Sequence, residues 1–280
     1  MTVHPAPAIR PNASETPART IAVGVGGAGG MAAFAWAAEE AARDGARLLL
    51  VRVSPPCSPA RARLDQAAPM FARAVAAAGH PGVERQVIRM VAGEPGPALA
   101  AAAAQADLLV IGSGGHGNTV REVVRHARVP VVIARGVPGG RGATFADHVV
   151  VGLDTAASGR AALDFAFAYA DLHGLPIAAA HISSSGRTGL DPAAADRLRT
   201  EIEPWAQKYP ATRVRRTVSR GRITDELVRA GIGAHLLVIG DRHRGAVGRA
   251  RTGDVPFSVA RQADCPVAVV PIERHEGTVR

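Results

Sequence analysis

The stretch that decides the fold is Leu236-Leu237-Val238-Ile239-Gly240, a short apolar run that ends at a glycine. A basic, glycine-containing loop follows as far as Gly253, Asp254 then begins a helix, and residues 267–270 form a second apolar run. Strand, long loop, helix and strand make a crossover unit whose turn can hold an anion. The same five letters occur once more, at residues 108–112.

This pentapeptide marks a duplication that extends over the whole chain. Two pairs of glycines recur with one and the same offset in residue number, Gly24 with Gly152 and Gly112 with Gly240. The offset from Pro130 to Pro266 is larger by eight, so the second copy has eight more residues between its fourth and fifth strands. Self-similarity over so long a period indicates two duplicated domains.

Each copy alternates predicted strands and helices. The first copy has strands at 21–25, 48–53, 83–90, 108–112 and 131–134, with helices at 31–44, 60–78, 95–105 and 119–127. The second has strands at 148–153, 176–182, 213–219, 236–240 and 267–270, with helices at 158–172, 191–208, 224–231 and from Asp254. Thr119 and Glu122 have the spacing of a capping box, which places a helix start at Thr119.

Several strands, such as residues 149–151 and the two copies of the pentapeptide, are apolar without alternation, which is typical of parallel sheets buried on both faces. The sequence therefore predicts an α/β protein with two doubly wound, Rossmann-like domains, each a five-stranded parallel sheet flanked by helices. We expect a disordered arm at 1–19, a first domain at 20–135, a linker at 136–146, a second domain at 147–273 and a C-terminal tail at 274–280. The 280 residues are enough for two such domains.

Composition argues against several classes of function. The net charge is +9, but the arginines are scattered and aromatic residues make up only 4% of the chain, so we expect no nucleic-acid binding. No apolar run is long enough to span a membrane, and residues 1–19 lack the apolar core of a signal peptide. Cys57 and Cys265 have no metal-ligand or disulfide spacing. We expect a cytoplasmic protein without a membrane partner or a metal site.

A glycine pattern at residues 24–29, G-x-G-x-x-G, suggests dinucleotide binding and hence an NAD(P)-dependent oxidoreductase. That chemistry also needs a carboxylate near the end of the second strand, where this chain has Arg52-Val53-Ser54-Pro55. No P-loop, seryl nucleophile elbow or base beside a nucleophile is recognisable, so no residue is assigned a catalytic role.

The residues Gly152-Leu153-Asp154, the run at 236–240 with its glycine loop, and Cys265-Pro266-Val267 together resemble the universal stress protein family, and the duplication resembles its tandem-domain members. The resemblance implies a non-enzymatic stress-response or regulatory protein with a five-stranded parallel sheet in each domain. Many members of the family bind ATP. They carry the motif G-x2-G-x9-G-[S/T] after the fourth strand and an aspartate after the first.

By this resemblance the second domain carries a site for ATP, with a bridging magnesium ion as an option. Its residues are Leu153, Asp154, Ile182, Ile239, Gly240, His243, Gly253, Asp254 and Val255. His243 stands where the motif has its second glycine, and Asp254 stands where it has serine or threonine. Asp254 suits the N-cap of a helix, but an ionised carboxylate there occupies the donors that a phosphate would use.

The first domain departs further from the motif. Gly26 replaces the aspartate, and the loop after residue 112 is the one shortened by eight residues. Gly112, Gly115 and Thr119 retain part of the pattern. Two interpretations stay open, a degenerate domain kept for pairing and a small-anion site at these three residues.

The resemblance further implies self-association. The two domains would pack as an intrachain pseudo-dimer through their fifth strands, at 131–134 and 267–270, and two chains would associate as a homodimer. Such pairing would also cover edge strands that are otherwise exposed. The alternative function is a regulatory module that binds no nucleotide and recruits a partner protein through its surfaces.

Overall fold

The computed structural model describes residues 19–27, 29–54, 86–114, 117–135, 142–153, 157–183, 192–241 and 254–272. The predicted helix at 60–78, the predicted tail at 274–280 and all but the last residue of the predicted arm at 1–19 lie outside these residues.

Within the described residues, the first half of the chain alternates strands and helices. Its elements are β1 (Thr20–Gly24), α1 (Gly30–Asp44), β2 (Arg47–Ser54), β3 (Gln86–Ala92), α2 (Pro95–Ala102), β4 (Leu108–Gly112), α3 (Gly117–His126) and β5 (Val131–Ala134). Helix α1 ends where predicted, because Gly45 adopts a left-handed conformation with φ of 68° that a glycine takes at little cost.

The second half repeats this order. Its elements are β6 (Val149–Leu153), α4 (Ala157–His173), β7 (Ile177–Ser183), α5 (Pro192–Lys208), β8 (Val214–Arg220), α6 (Ile223–Ala230), β9 (Leu236–Asp241), α7 (Val255–Gln262) and β10 (Val267–Pro271). Gly174, with φ of 63°, follows α4 as Gly45 follows α1.

Two helix boundaries in the first half were predicted wrongly. Helix α2 ends at Ala102, short of Gln105, because the chain turns toward β4 and Asp107 accepts a 2.8 Å hydrogen bond from the Thr20 backbone N–H. Helix α3 begins at Gly117, so Thr119 lies inside its first turn and does not cap it. The side chain of Glu122 accepts a hydrogen bond from Arg125 at 2.9 Å, one turn toward the C-terminus of the helix.

The strands form one ten-stranded sheet in the order β3-β2-β1-β4-β5-β10-β9-β6-β7-β8. All pairs within each half are parallel, which confirms the predicted pair of doubly wound, five-stranded units. The two fifth strands, β5 and β10, pair antiparallel with Val132 opposite Ala268. This pairing joins the halves as the resemblance implied.

Both faces of the sheet are covered by helices, which explains the uninterrupted apolar sequence of inner strands such as β4 and β9. Helices α1, α4 and α5 cover one face, where Phe34 and Phe167 are among the fully buried side chains. Helices α2, α3, α6 and α7 cover the other face. Each hydrophobic cluster contains residues of both halves, so the two halves share their cores.

The segment predicted as a linker contributes to the second of these clusters. Its described part, from Gly142 onward, consists of turns, and Phe145 is buried against the cluster that includes α7. The Arg215 guanidinium lies 5.4 Å from the centre of the Phe145 ring. The connection between the halves is therefore anchored at Phe145.

Candidate functional site

Each half has a point at which the strand order reverses, and ligands of doubly wound sheets bind beyond the carboxyl ends of the strands at such a point. In the first half it lies between β1 and β4, next to Gly24 and Gly112. In the second half it lies between β6 and β9, where Gly152 pairs with Ile239.

The surroundings of the two reversal points correspond side chain by side chain. A methyl group on Gly24 would contact a leucine of α2 and an isoleucine of β4, and one on Gly152 would contact a leucine of α6 and an isoleucine of β9. The corresponding residues are Leu99 with Leu227 and Ile111 with Ile239, and both pairs have the same offset in numbering as the two glycines. The duplication found in the sequence is therefore preserved in the packing beneath both candidate sites.

Backbone atoms fill the reversal point of the first half. A Cβ atom placed on Gly112 would lie 2.0 Å from the Gly29 carbonyl oxygen, and one on Gly29 would lie 2.7 Å from the Gly114 nitrogen. The turn after β1 and the loop after β4 are thus in direct contact, which only glycines allow. Gly29 is the last glycine of the G-x-G-x-x-G pattern, so that glycine has a packing role. A methyl group on Gly26 would have nothing nearer than the Arg52 guanidinium at 4.0 Å.

The structure does not describe a small-anion site formed by Gly112, Gly115 and Thr119. Thr119 is partly buried in the first turn of α3, and Gly115 lies outside the described residues. Helix α3 follows β4 after only residues 113–116. This connection is shorter than the one between β9 and α7, which spans residues 242–254.

In the second half, several predicted residues lie at the carboxyl ends of adjacent strands. Leu153 ends β6 and is buried, Ile182 lies near the end of β7, and Ile239 and Gly240 lie near the end of β9. Ile182 is partly buried against the same hydrophobic cluster that contains Ile239. Ile182 and Ile239 therefore share one face of the sheet, whereas Leu153 belongs to the cluster on the other face. Asp154, His243 and Gly253 lie outside the described residues.

Asp254 caps α7, as the sequence suggested. Its Oδ1 accepts a hydrogen bond from the Phe257 backbone N–H at 3.4 Å, and Val255 is the first residue of the helix. Its Oδ2 lies 3.9 Å from Nε of Arg121, a residue of α3 in the other half. The carboxylate therefore occupies one helix donor and lies near a cation.

Arg121 was missed in the sequence because it reaches Asp254 only across the interface between the halves. Its guanidinium also lies 4.3 Å from the centre of the Phe257 ring. The Arg121 side chain is partly exposed and lies close to both Asp254 and Phe257. It therefore adds positive charge at the beginning of α7.

A second group of polar residues, also missed, lies between α1 and α4. The Tyr169 hydroxyl donates to Glu40 at 3.0 Å and lies 3.1 Å from Nε2 of His235, and Nε2 of His173 lies 3.0 Å from the other Glu40 oxygen. Burial raises the pKa of Tyr169 and lowers the pKa of His235, and in the latter the neighbouring His173 acts in the same direction. Glu40 and the side chain of His173 are almost inaccessible to solvent. The group therefore ties the halves together and is not open to a substrate.

The described part of the chain holds neither a metal-binding cluster nor a membrane-spanning helix. Among those residues, no group of three or more His, Cys, Asp or Glu side chains could hold a metal ion. No described helix is long and apolar enough to cross a bilayer.

The family model of the universal stress proteins matches this chain twice, at residues 17–135 and 146–271. The chain therefore belongs to the universal stress protein family and contains two copies of its domain. Among its relatives is universal stress protein Rv2624c of Mycobacterium tuberculosis, 28% identical over 90% of this chain and 96% of the relative. Universal stress protein Rv2623 of the same organism is 28% identical over 74% of both chains.

Solved structures agree on the fold. A universal stress protein from Archaeoglobus fulgidus superposes with a TM-score of 0.70 at 17% identity, over 92% of this chain and 97% of that one. A protein from Pseudomonas aeruginosa gives a TM-score of 0.61 at 16% identity, over 91% of this chain and 93% of that one.

Proposed function

We propose that this universal stress protein is a non-catalytic regulatory protein of the stress response that binds an adenine nucleotide in its second half. The observation that carries the proposal is the contrast between the two reversal points. In the first half, Gly29 is in direct contact with Gly112. In the second half, the connection from β9 to α7 spans residues 242–254, which is long enough to enclose a phosphate chain.

The adenosine part of the ligand would pack at the carboxyl ends of β6, β7 and β9. Leu153, Ile182 and Ile239 would contact the base, and Asp154 would accept hydrogen bonds from the sugar. The phosphates would follow Gly240 toward Gly253 and the beginning of α7, where backbone N–H groups and the helix dipole favour an anion.

Asp254 and His243 are the residues that oppose this arrangement. The Asp254 carboxylate already accepts from Phe257, and it would repel a phosphate placed beside it. Arg121, 3.9 Å from this carboxylate, offsets part of that charge. An oxygen ligand of this kind suits a magnesium ion that also binds phosphate oxygens, so we propose MgATP as the ligand. The nucleotide would bind weakly compared with a site that has serine at position 254.

Thermal unfolding with and without millimolar ATP and magnesium tests the proposal, since a ligand of the folded state raises Tm. We expect a rise for the native chain and a larger rise for Asp254→Ser. The matched control is Asn118→Ser, because Asn118 precedes Asp254 by the offset that separates Pro130 from Pro266 but lies inside the first turn of α3, in the half without the proposed site. No rise at millimolar ATP in either the native chain or Asp254→Ser would refute nucleotide binding.

The same preparations distinguish the alternatives. Release of phosphate from ATP at a rate that Asp254 variants change would contradict the non-catalytic proposal. Binding of a nicotinamide nucleotide that Gly26→Ala abolishes would favour an oxidoreductase. A chain that binds none of these nucleotides would instead be a regulatory module that acts through protein partners.

A further inference from the structure

An approximate two-fold axis relates the two halves and passes through the pair of fifth strands. Val132 lies opposite Ala268, and these residues are equivalent because they have the same offset in numbering as Pro130 and Pro266. Near such an axis, a residue meets its own equivalent from the other half. If the two halves were identical, each of these contacts would join two copies of the same residue.

One such contact lies between α1 and α4. Glu40 and Tyr169 each stand five residues before the left-handed glycine that follows their helix, Gly45 and Gly174. The two are therefore equivalent, and they are hydrogen-bonded to each other at 3.0 Å. A carboxylate from the first half thus faces a phenol from the second.

In the next pair of equivalent residues, the carboxylate again belongs to the first half and the ring to the second. His173, which lies 3.0 Å from Glu40, has Asp44 as its equivalent in the first half. Two first halves paired through this surface would place Glu40 against Glu40, with Asp44 where His173 now stands. Glu40 is only 3% exposed, and buried carboxylates facing one another are strongly unfavourable.

The opposite face of the sheet has an independent contact of the same kind. Arg121 of α3 and Phe257 of α7 are equivalent by the offset of Pro130 and Pro266, and the guanidinium lies 4.3 Å from the ring centre. This is a favourable cation–π geometry. Two first halves would instead bring two arginines together, whereas two second halves would bring two phenylalanines together.

We propose that the pairing surface of the first half accepts the second half and rejects another copy of itself. On both faces of the sheet, a charged residue of the first half meets an aromatic residue of the second. Charge repulsion therefore excludes pairing between the first halves of two chains. This surface selects its partner whether or not a nucleotide binds.

Substitutions in the full chain reproduce the rejected pairs. Tyr169→Glu creates the contact between two first halves, and Glu40→Tyr creates the contact between two second halves. We expect Tyr169→Glu to lower Tm by on the order of 10 °C, because it leaves buried carboxylates face to face, and Glu40→Tyr to lower it less. The exchange Glu40→Tyr/Tyr169→Glu should recover at least half of the loss caused by Tyr169→Glu. A double variant that loses the sum of both single effects would overturn the proposal.

The other face gives a test that does not depend on the folding of Tyr169→Glu. Phe257→Arg places two arginines together, and Arg121→Phe places two phenylalanines together. Because salt screens exposed charges, with a Debye length of about 30 Å at 10 mM and about 3 Å at 1 M, added salt should raise the Tm of Phe257→Arg more than that of Arg121→Phe. Equal responses to salt in the two variants would overturn the proposal.

Discussion

Substitution of Gly112 by alanine tests whether backbone contact closes the reversal point of the first half. The new methyl carbon would lie 2.0 Å from the Gly29 carbonyl oxygen and 2.3 Å from its carbonyl carbon, where about 3.4 Å is the ordinary limit of contact. To bring the 2.0 Å contact to 3.4 Å, the two backbone segments would have to separate by about 1.4 Å. Overpacking of this kind typically costs about 1–3 kcal/mol, and we expect the upper end because the atoms in contact are backbone.

For a chain of this size, a loss of about 3 kcal/mol corresponds to a fall in Tm of roughly 6–12 °C, measured by circular dichroism. The control is Gly26→Ala in the same turn, where the nearest atom is 4.0 Å from the added methyl group, so we expect Tm to change by less than about 1 °C. Gly112→Ala should leave the shift caused by ATP unchanged, since that site is proposed in the second half. A Gly112→Ala chain as stable as the native protein would refute the closed contact.

Three further predictions concern buried polar groups. Tyr169→Phe keeps the ring but removes the hydroxyl that Glu40 accepts from, and it should reduce the free energy of unfolding by about 1–3 kcal/mol in urea titrations. Tyr209→Phe serves as its control, because that hydroxyl makes no hydrogen bond within the described ranges. Burial lowers the pKa of His235, so the unfolded chain takes up a proton below about pH 6.5 before the folded chain does. Stability should therefore fall between pH 7 and pH 5, and less so in His235→Gln; an equal slope in both chains would contradict this. Burial raises the pKa of Cys265 to about 12, so in Cys57→Ser no thiol should react with a disulfide reagent until the chain unfolds.

The sequence was a reliable guide to the fold because its signals are local. Runs such as Leu108–Gly112 and Val131–Ala134 have the bounds that the apolar pattern predicted. Gly45 and Asp254 end and begin helices by conformational preferences that depend on neighbouring residues alone. The equal spacing of Gly24 and Gly152 from their fourth-strand glycines revealed the duplication, which the packing around both confirms.

Less of the candidate site than of the fold could be predicted from the sequence. The motif located the second half as the better preserved copy, and Leu153, Ile182 and Ile239 do lie at the ends of adjacent strands. The spacing of Thr119 and Glu122 suggested a capping box. In the structure, α3 begins two residues before Thr119, and the Glu122 side chain accepts a hydrogen bond from Arg125. A short motif records which residues are near in the chain, and it cannot record which of several local partners a side chain takes.

What the sequence by itself determined is the architecture, two doubly wound units built from buried parallel strands. Only the tertiary structure decided how the halves meet. The antiparallel pairing of β5 with β10 brings Glu40 to Tyr169 and Arg121 to Phe257, and the close approach of Gly29 to Gly112 closes the first reversal point. Secondary structure follows from periodicity and propensity over a few neighbours, whereas these contacts join residues that are far apart in the chain. These contacts contribute to stability only after the sheet has brought the residues together.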